Sequence, residues 1–204
     1  MINIVLQAVA SFFSLALIAV TIQNTVFARA LGVSRLISLV DDTTDTLIFG
    51  VLNMLVTVLA GVLNYFVYTL FLADSPYMAY LRPLSIVACM AVSFILIYIL
   101  AVKFAPYAHI EKAVGALPLA TFNCTVLGTL VLTTSRQLSL LGTVGFSIGT
   151  SIGFVLAVFL VTEGQRKLQN DEMPAAFRGL PATLLYLAGL SLAVYCLTGY
   201  SFSF

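Results

Sequence analysis

The chain has 204 residues, of which 61% are apolar and 8% are charged, and its mean hydropathy is +1.11. A soluble fold of this length could not hide so much apolar surface, so the composition excludes an ordinary soluble domain. The formal net charge of +1, with no run of lysine and arginine, argues against nucleic-acid binding, which needs a concentrated basic face. A lipid bilayer is therefore the expected environment.

A membrane-length window predicts an all-α integral membrane protein with six transmembrane helices. The spans are roughly 1–22, 46–72, 83–104, 117–132, 138–162 and 180–199. The first lacks a basic start, so we expect it to remain as a span rather than to be cleaved as a signal peptide. The whole chain, 1–204, is then one membrane domain.

The basic residues predict the orientation of these spans. Seven of the nine lie in the first, third and fifth loops, and positively charged loops stay in the cytoplasm. We therefore expect both termini to be external. The fifth loop, residues 163–179, is the longest polar stretch and the predicted contact for a cytoplasmic partner, with a merely solvated loop as the alternative.

Small and polar residues recur at helical spacing within three spans, which predicts helix contacts rather than plain lipid anchors. The stripes are Gly50, Asn53, Thr57, Gly61, Asn64 and Tyr68; Gly145, Gly149 and Gly153; and Ser85, Cys89 and Ser93. Cys89 and Cys196 are expected to be packed thiols, because a thiol behaves as a small apolar side chain unless something polarises it.

Two spans contain a polar interruption. In the segment 117–128, Asn123 and Cys124 stand between a proline and a glycine, in an apolar context that predicts a buried thiol. A similar break, with Asn24 and a Leu31-Gly32 step, follows the first apolar run. An unpaired backbone group in hydrocarbon costs several kcal/mol, so such breaks must be buried in protein or line a pathway.

The breaks also suggest an internal repeat. Each half of the chain, 1–102 and 103–204, has three spans and opens with a broken helix. An odd number of spans per half makes the halves inverted in the membrane, with the broken first and fourth helices meeting near the midplane. Chance similarity remains an alternative, since the spacing from Asn to Leu-Gly differs between the halves.

The motifs in the second half resemble those of a known family. They are Leu117-Pro-Leu-x-Thr-x-Asn-Cys-x-Val-Leu-Gly128, Gly145-Phe-Ser147, Gly153-Phe154, Pro174-Ala-Ala-Phe-Arg-Gly179 and Ala188-Gly-Leu190. In this order they resemble the A subunit of the bacterial Rnf electron-transport complex, and the homologous E subunit of the sodium-translocating NADH:quinone reductase shares most of the pattern. The preference for Rnf depends mainly on the 174–179 motif.

The resemblance implies a membrane subunit of an ion-translocating ferredoxin:NAD oxidoreductase in the bacterial cytoplasmic (inner) membrane. Such a subunit pairs with a homologous subunit of opposite topology, within a complex of further subunits, and the pair holds one 2Fe-2S cluster between its broken helices. Each member supplies two cysteines to bind this cluster. Because the cluster lies within the membrane, it relays electrons across the bilayer. Cys124 matches one ligand, and the other position holds Ser34, whose oxygen is a harder iron ligand than thiolate.

Other interpretations remain open. Without the resemblance, Cys124 is more often a packed thiol than a ligand, because no Cys or His stands at ligand spacing. The sequence has no Gly-rich phosphate cradle or nucleophile–base pair, so the chain alone is not a self-contained enzyme. The alternatives are a small secondary carrier with inverted repeats and a redox-silent subunit that has lost the cluster.

Overall fold

The computed structural model describes residues 2–39, 43–72, 77–104, 107–168, 174 and 178–197. Within these ranges every regular element is helical, as the composition predicts. The helices are α1 (Ile2–Val20), α2 (Thr25–Arg29), α3 (Val33–Leu39), α4 (Thr43–Val67, continued by a π-helical turn at Tyr68–Leu72), α5 (Met78–Phe104), α6 (Tyr107–Thr121), α7 (Cys124–Ser135), α8 (Leu140–Leu168) and α9 (Leu180–Leu197).

Three of these helices are long and apolar enough to cross a membrane, namely Asp45–Leu72, Met78–Lys103 and Leu140–Leu168. The pair α6 and α7 makes a fourth span if its two pieces, bent by 44°, are counted together. The apolar parts of α1 and α9 are shorter, Leu6–Val20 and Leu180–Cys196. An all-helical fold is thus confirmed for the described residues, with helices of membrane-spanning length and composition, while the arrangement as six spans in two inverted repeats stays a prediction.

Helix α8 is the centre of the bundle, and α1 packs along it in parallel. A Cβ atom on Gly145 would lie 2.6 Å from the carbonyl oxygen of Phe12, and one on Gly149 would overlap that of Ala16. Gly153 continues the series beside Val20. The predicted glycine stripe is confirmed as a helix-packing face, and its partner is a helix of the same chain.

Helix α4 packs against another side of α8 in the antiparallel direction, with Gly50 beside Val155 and Gly61 beside Ser147. The rings of Phe49 and Phe154 meet with centroids 5.6 Å apart. The small and polar face predicted for this span is confirmed, since all its members except Tyr68 are buried.

The predictions for the remaining cysteines divide. Cys89 is buried together with Ser93, as the third-span stripe predicts. The prediction that Cys196 packs within the chain is wrong. Its side chain is exposed, and a Cβ atom on Gly189, on the same helix, would meet no atom within 4 Å. The reason is that α9 turns a different face, with Thr183 and Leu187, towards the bundle.

The predicted fifth loop begins as a helix, because α8 continues to Leu168. Residues 169–173 and 175–177 of that loop lie outside the described residues.

Candidate functional site at two contacting helix breaks

Asn24 closes the first break. Helix α1 ends at Val20, and the fully buried Asn24 caps the N-terminus of α2, with its Oδ1 accepting a 2.9 Å hydrogen bond from the backbone N–H of Val26. Its Nδ2 donates across to the carbonyl oxygen of Gly153 on α8, at 2.8 Å. The side-chain amide of Asn24 therefore pairs a free backbone N–H at the start of α2 and also connects the break to α8.

Asn123 closes the second break in the same way. It is 7% exposed and caps α7, and its Oδ1 accepts a 3.3 Å hydrogen bond from the backbone N–H of Thr125. Its Nδ2, however, has no partner within the described residues. The two asparagines that mark the breaks in the sequence are both helix caps, and only Asn24 is also bonded across the bundle.

The two breaks touch each other. Gly32 has a φ of +81°, and a Cβ atom there would overlap Thr125 Oγ1 and lie 3.4 Å from Asn123 Oδ1. In turn, a Cβ on Gly128 would overlap the side chain of Leu31. Glycine is needed at 32 for two reasons, the left-handed backbone and the close approach.

The contact lies at mid-depth in the bundle. A Cβ on Gly32 would come within 3.0 Å of the Phe154 ring, and the neighbouring Gly153 binds Asn24. Both residues are in the middle of the 29-residue helix α8. The breaks therefore meet halfway along the longest described span, where helix interruptions need internal partners.

The two predicted site residues flank this contact. Cys124 is the first residue of α7, directly before Thr125, and Ser34 is the second residue of α3, two positions after Gly32. Both side chains are exposed. The expectation of a buried Cys124 thiol is thus wrong, because the N-terminal turn of α7 buries Asn123 and Thr125 and turns the residue between them outwards.

Exposure at mid-depth means that these donors point away from the bundle of their own chain. No group of three or more His, Cys, Asp or Glu side chains that could hold a metal occurs in the described ranges. One thiol and one hydroxyl cannot enclose a metal centre alone. Within the described residues, this chain by itself therefore presents no complete metal site at the breaks.

Sequence analysis missed several residues at the contact. Thr25 and Thr125 are fully buried beside the caps, and their hydroxyl oxygens have no partner among the described residues. Ala30 ends α2 in a left-handed conformation with a φ of 54°. A non-glycine residue in this conformation costs of the order of 1–2 kcal/mol, and no pattern in the sequence indicates it.

Because only Asn24 bonds across the bundle, we expect Asn24→Ala to destabilise the protein more than Asn123→Ala. Loss of a cap costs about 1 kcal/mol in either case. Loss of the bond to Gly153 adds about 0.5–1.5 kcal/mol for Asn24 alone. Thermal unfolding of both variants in detergent measures the difference, and an equal or larger fall in Tm for Asn123→Ala would contradict it.

The fold and the site define a class of protein: a membrane chain, all-helical over the described residues, whose two contacting helix breaks are flanked by the exposed Cys124 and Ser34. Comparison with known proteins gives the family. Residues 12–201 match the family described as "Rnf-Nqr subunit, membrane protein", and the chain belongs to it.

Curated relatives agree over most of their length. The chain is 31% identical to the A subunit of the ion-translocating oxidoreductase complex of Syntrophotalea carbinolica, over 86% of this chain and 90% of that protein. It is 26% identical to the A subunit of the Na⁺-translocating ferredoxin:NAD⁺ oxidoreductase complex of Acetobacterium woodii, over 89% and 93%. It is 24% identical to the E subunit of the Na⁺-translocating NADH-quinone reductase of a Psychrobacter species, over 93% and 98%.

Proposed function

We propose that the chain is a membrane subunit of an ion-translocating ferredoxin:NAD oxidoreductase of the Rnf type, and that it forms half of a transmembrane electron path with a homologous partner. The observation that carries this proposal is the exposed Cys124 thiol beside two contacting helix breaks at mid-depth. The names of the relatives support the complex, and the slightly higher identity to A subunits favours Rnf over the quinone reductase.

The donor set fits a shared iron–sulfur site in placement and departs from it in one ligand. Cys124 would supply a thiolate, the ligand that iron–sulfur clusters prefer, and Ser34 would supply an oxygen where the family pattern has cysteine. When bound, a 2Fe-2S cluster supplies a one-electron carrier. The chain's own part is to hold these donors on α7 and α3, which Gly32 and Thr125 lock together.

The proposed partner would complete a site of which this chain holds one half, at Cys124 and Ser34. A second protein with the same fold and the opposite topology would bring its own two donors to the same depth, because the breaks lie in the middle of the bundle. Support for an inverted repeat comes from the capping asparagines: Asn24 and Asn123 close corresponding breaks in residues 1–102 and 103–204. The same duplication would underlie two subunits of opposite orientation.

The proposed orientation places both termini outside the cell. It predicts that a cysteine replacing the exposed Lys167, at the end of α8, is labelled by an impermeant thiol reagent only from the cytoplasmic side. A cysteine at the exposed Gln137, before α8, should show the reverse. Labelling of position 167 but not 137 in intact cells would overturn the orientation.

The electron path is tested on the native complex. An affinity tag on this chain should co-purify a homologous membrane protein, and the purified assembly should contain iron at this pair and give an electron paramagnetic resonance signal on reduction. A carrier acting alone would purify without partners. A stable pair without iron would end the proposal of a relay.

One second candidate has a specific observation behind it. Ser34 stands where the resemblance requires cysteine, and this favours a protein that kept the fold and lost the cluster. Such a protein would still bind its partner through the exposed edge at Cys124 and Ser34. The iron measurement separates the two functions, because only the relay needs metal.

A further inference from the structure

A cavity of about 440 Å³ lies between the C-terminal ends of α4 and α7 and the start of α8. This volume falls within the usual range of ligand sites, about 300–1,000 Å³. The buried Asn64 and Thr134 line its inner part, and the exposed Thr69, Gln137 and Ser139 stand at its mouth. None of the described residues that line it is charged, so an ion inside would have no counter-charge. The cavity therefore suits a neutral ligand.

Asn64 lines the cavity with a free hydrogen-bond acceptor. It is 2% exposed, and its Nδ2 donates a 2.8 Å hydrogen bond to Thr134 Oγ1. The hydroxyl of Thr134 donates its own hydrogen to the carbonyl oxygen of Leu130 at 2.7 Å, so towards Asn64 it can only accept. This fixes the orientation of the amide and leaves Asn64 Oδ1 buried without a partner in the described residues. Because buried acceptors are nearly always paired, the atom indicates a ligand that donates an O–H or N–H.

Tyr68 provides a complementary donor. Its hydroxyl oxygen accepts a 3.4 Å hydrogen bond from Gln137 Nε2. Among the described residues its hydroxyl hydrogen meets only Met78 Sδ, with the two heavy atoms 4.0 Å apart. A thioether is a weak acceptor, so this hydroxyl can donate to a ligand oxygen instead. Tyr68 follows Asn64 by four residues, about 6 Å along the helix axis, so the acceptor and the donor stand one turn apart.

Two unusual backbone segments bring side chains to the mouth of the cavity. Helix α4 continues as a π-helical turn at Tyr68–Leu72, and such turns are frequent at functional sites. Gln137, just after α7, has a left-handed φ of 49°, at a position where glycine is the usual residue. A glutamine there strains the backbone, and its side chain bonds Tyr68. The side chain at 137 therefore has a role that ending α7 does not explain.

The walls between these polar groups are aromatic or apolar. Tyr65, Tyr68, Met78 and Leu138 line the cavity, and all four are half-buried. Tyrosine rings pack well against the face or edge of another ring, and thioether sulfur makes favourable contacts with aromatic rings. The ligand that fits is therefore a flat, neutral ring that carries a hydroxyl group.

We propose that this cavity binds the head group of a hydroquinone, a neutral ring with hydroxyl groups on two opposite carbons. One hydroxyl donates to Asn64 Oδ1, and the oxygen of the other accepts from the hydroxyl of Tyr68. A separation of one helical turn suits two oxygens on opposite sides of one ring. The inference goes beyond the electron path and does not depend on a cluster, because it uses only groups that line the cavity.

Binding is measured on the purified intact complex in detergent, by equilibrium dialysis with radioactive tetramethylhydroquinone under argon. The dimethyl ether of this compound keeps the ring and removes both O–H donors. We expect the hydroquinone to bind saturably and about ten-fold more tightly than the ether, because only the hydroquinone pairs Asn64 Oδ1. Equal binding of the two compounds, or no saturable binding of the hydroquinone, would overturn the proposal.

Asn64→Leu assigns the binding to this cavity, because it removes the unpaired Oδ1 and keeps the approximate size of the side chain. The dissociation constant of the hydroquinone should rise about ten-fold, while that of the ether should not change. Asn53→Leu is the matched control: Asn53 is buried on the same helix with an unpaired Oδ1, but it does not line the cavity. An equal effect of the two substitutions would contradict the proposal.

Gln137→Gly decides the matter if Asn64→Leu fails to assemble. Glycine adopts the left-handed conformation without strain, so this variant should unfold at the same temperature as the wild-type complex or at a higher one. Its affinity for the hydroquinone should nevertheless fall about five-fold, because Tyr68 loses the bond from Gln137 that holds its hydroxyl in place. An unchanged affinity in this variant would show that the side chain only ends α7, and would overturn the assignment of the cavity.

Discussion

Replacing Gly149 by leucine should prevent stable assembly of the protein. Helices α1 and α8 run in parallel at this level, and a Cβ atom at 149 would overlap the carbonyl oxygen of Ala16 and lie 2.8 Å from its Cα. These are backbone atoms, so no rotation of a side chain can relieve the overlap. Overpacking costs about 1–3 kcal/mol where the surroundings can adjust, and two rigid helices should cost more.

The consequence should reach beyond α1. Gly145 and Gly153 approach the same helix one turn away on either side, so separation at 149 opens the whole seam. Separation also weakens the bond between Asn24 and Gly153, which fixes the first break. We therefore expect native gels to show loss of this protein from its complex, and thermal unfolding to show a Tm lowered by several degrees.

Gly115→Leu is the matched control, because Gly115 lies in helix α6 and a Cβ there meets no atom within 4 Å. This variant should assemble normally. A complex with Gly149→Leu that is as stable and active as the Gly115→Leu complex would show that α1 and α8 are not in contact in the membrane.

The glycine stripe shows what the sequence can encode about a membrane fold. A spacing of four residues puts Gly145, Gly149 and Gly153 on one face of the helix. In a membrane, a face of small residues is typical of a close helix–helix contact, so the role of this face could be predicted. The sequence could not predict which helix packs against this face, or in which direction that helix runs. Any helix with a small ridge would fit, and the choice of α1 depends on how the whole bundle closes.

The same limit applies at the candidate site. Asn24 and Asn123 could be found because a polar residue within an apolar run needs a partner, and both are caps. The exposure of Cys124 could not be predicted from the sequence, since hydropathy describes the surrounding residues and not the direction of one side chain on the first turn of a helix. The left-handed Ala30 and the approach of Gly32 to Thr125 likewise depend on tertiary contacts.

Replacing Cys124 by serine should abolish ferredoxin-driven reduction of NAD by the complex while the protein still inserts and assembles. The exchange of sulfur for oxygen hardly changes volume, and the side chain is exposed, so a thiol with no further role would tolerate it at under about 1.5 kcal/mol. A thiolate ligand would not, because iron–sulfur sites prefer sulfur. The two roles of Cys124 thus predict different outcomes for the same substitution.

Cys196→Ser is the matched control for this experiment, since Cys196 is also exposed but lies on α9, away from the breaks. It should keep full activity and the full spectroscopic signal. Measurement of iron content alongside activity separates loss of a ligand from loss of the whole protein. Full activity of Cys124→Ser in an assembled complex would leave only the structural role for this residue.

The complex with Ser34→Cys should give a stronger electron paramagnetic resonance signal than the wild-type complex, or give a signal where the wild-type complex gives none. Ser34 is the second residue of α3 and is exposed, two positions after the glycine that contacts Thr125, so a thiol there would flank the contact of the two breaks, as Cys124 does. It would complete the pair of cysteines that the proposed cluster site requires, and thiolate binds iron–sulfur clusters better than a hydroxyl. Ser38, exposed one turn further along α3, provides the control Ser38→Cys, which should have no effect. An equal response to both substitutions would mean that position 34 has no special relation to the metal.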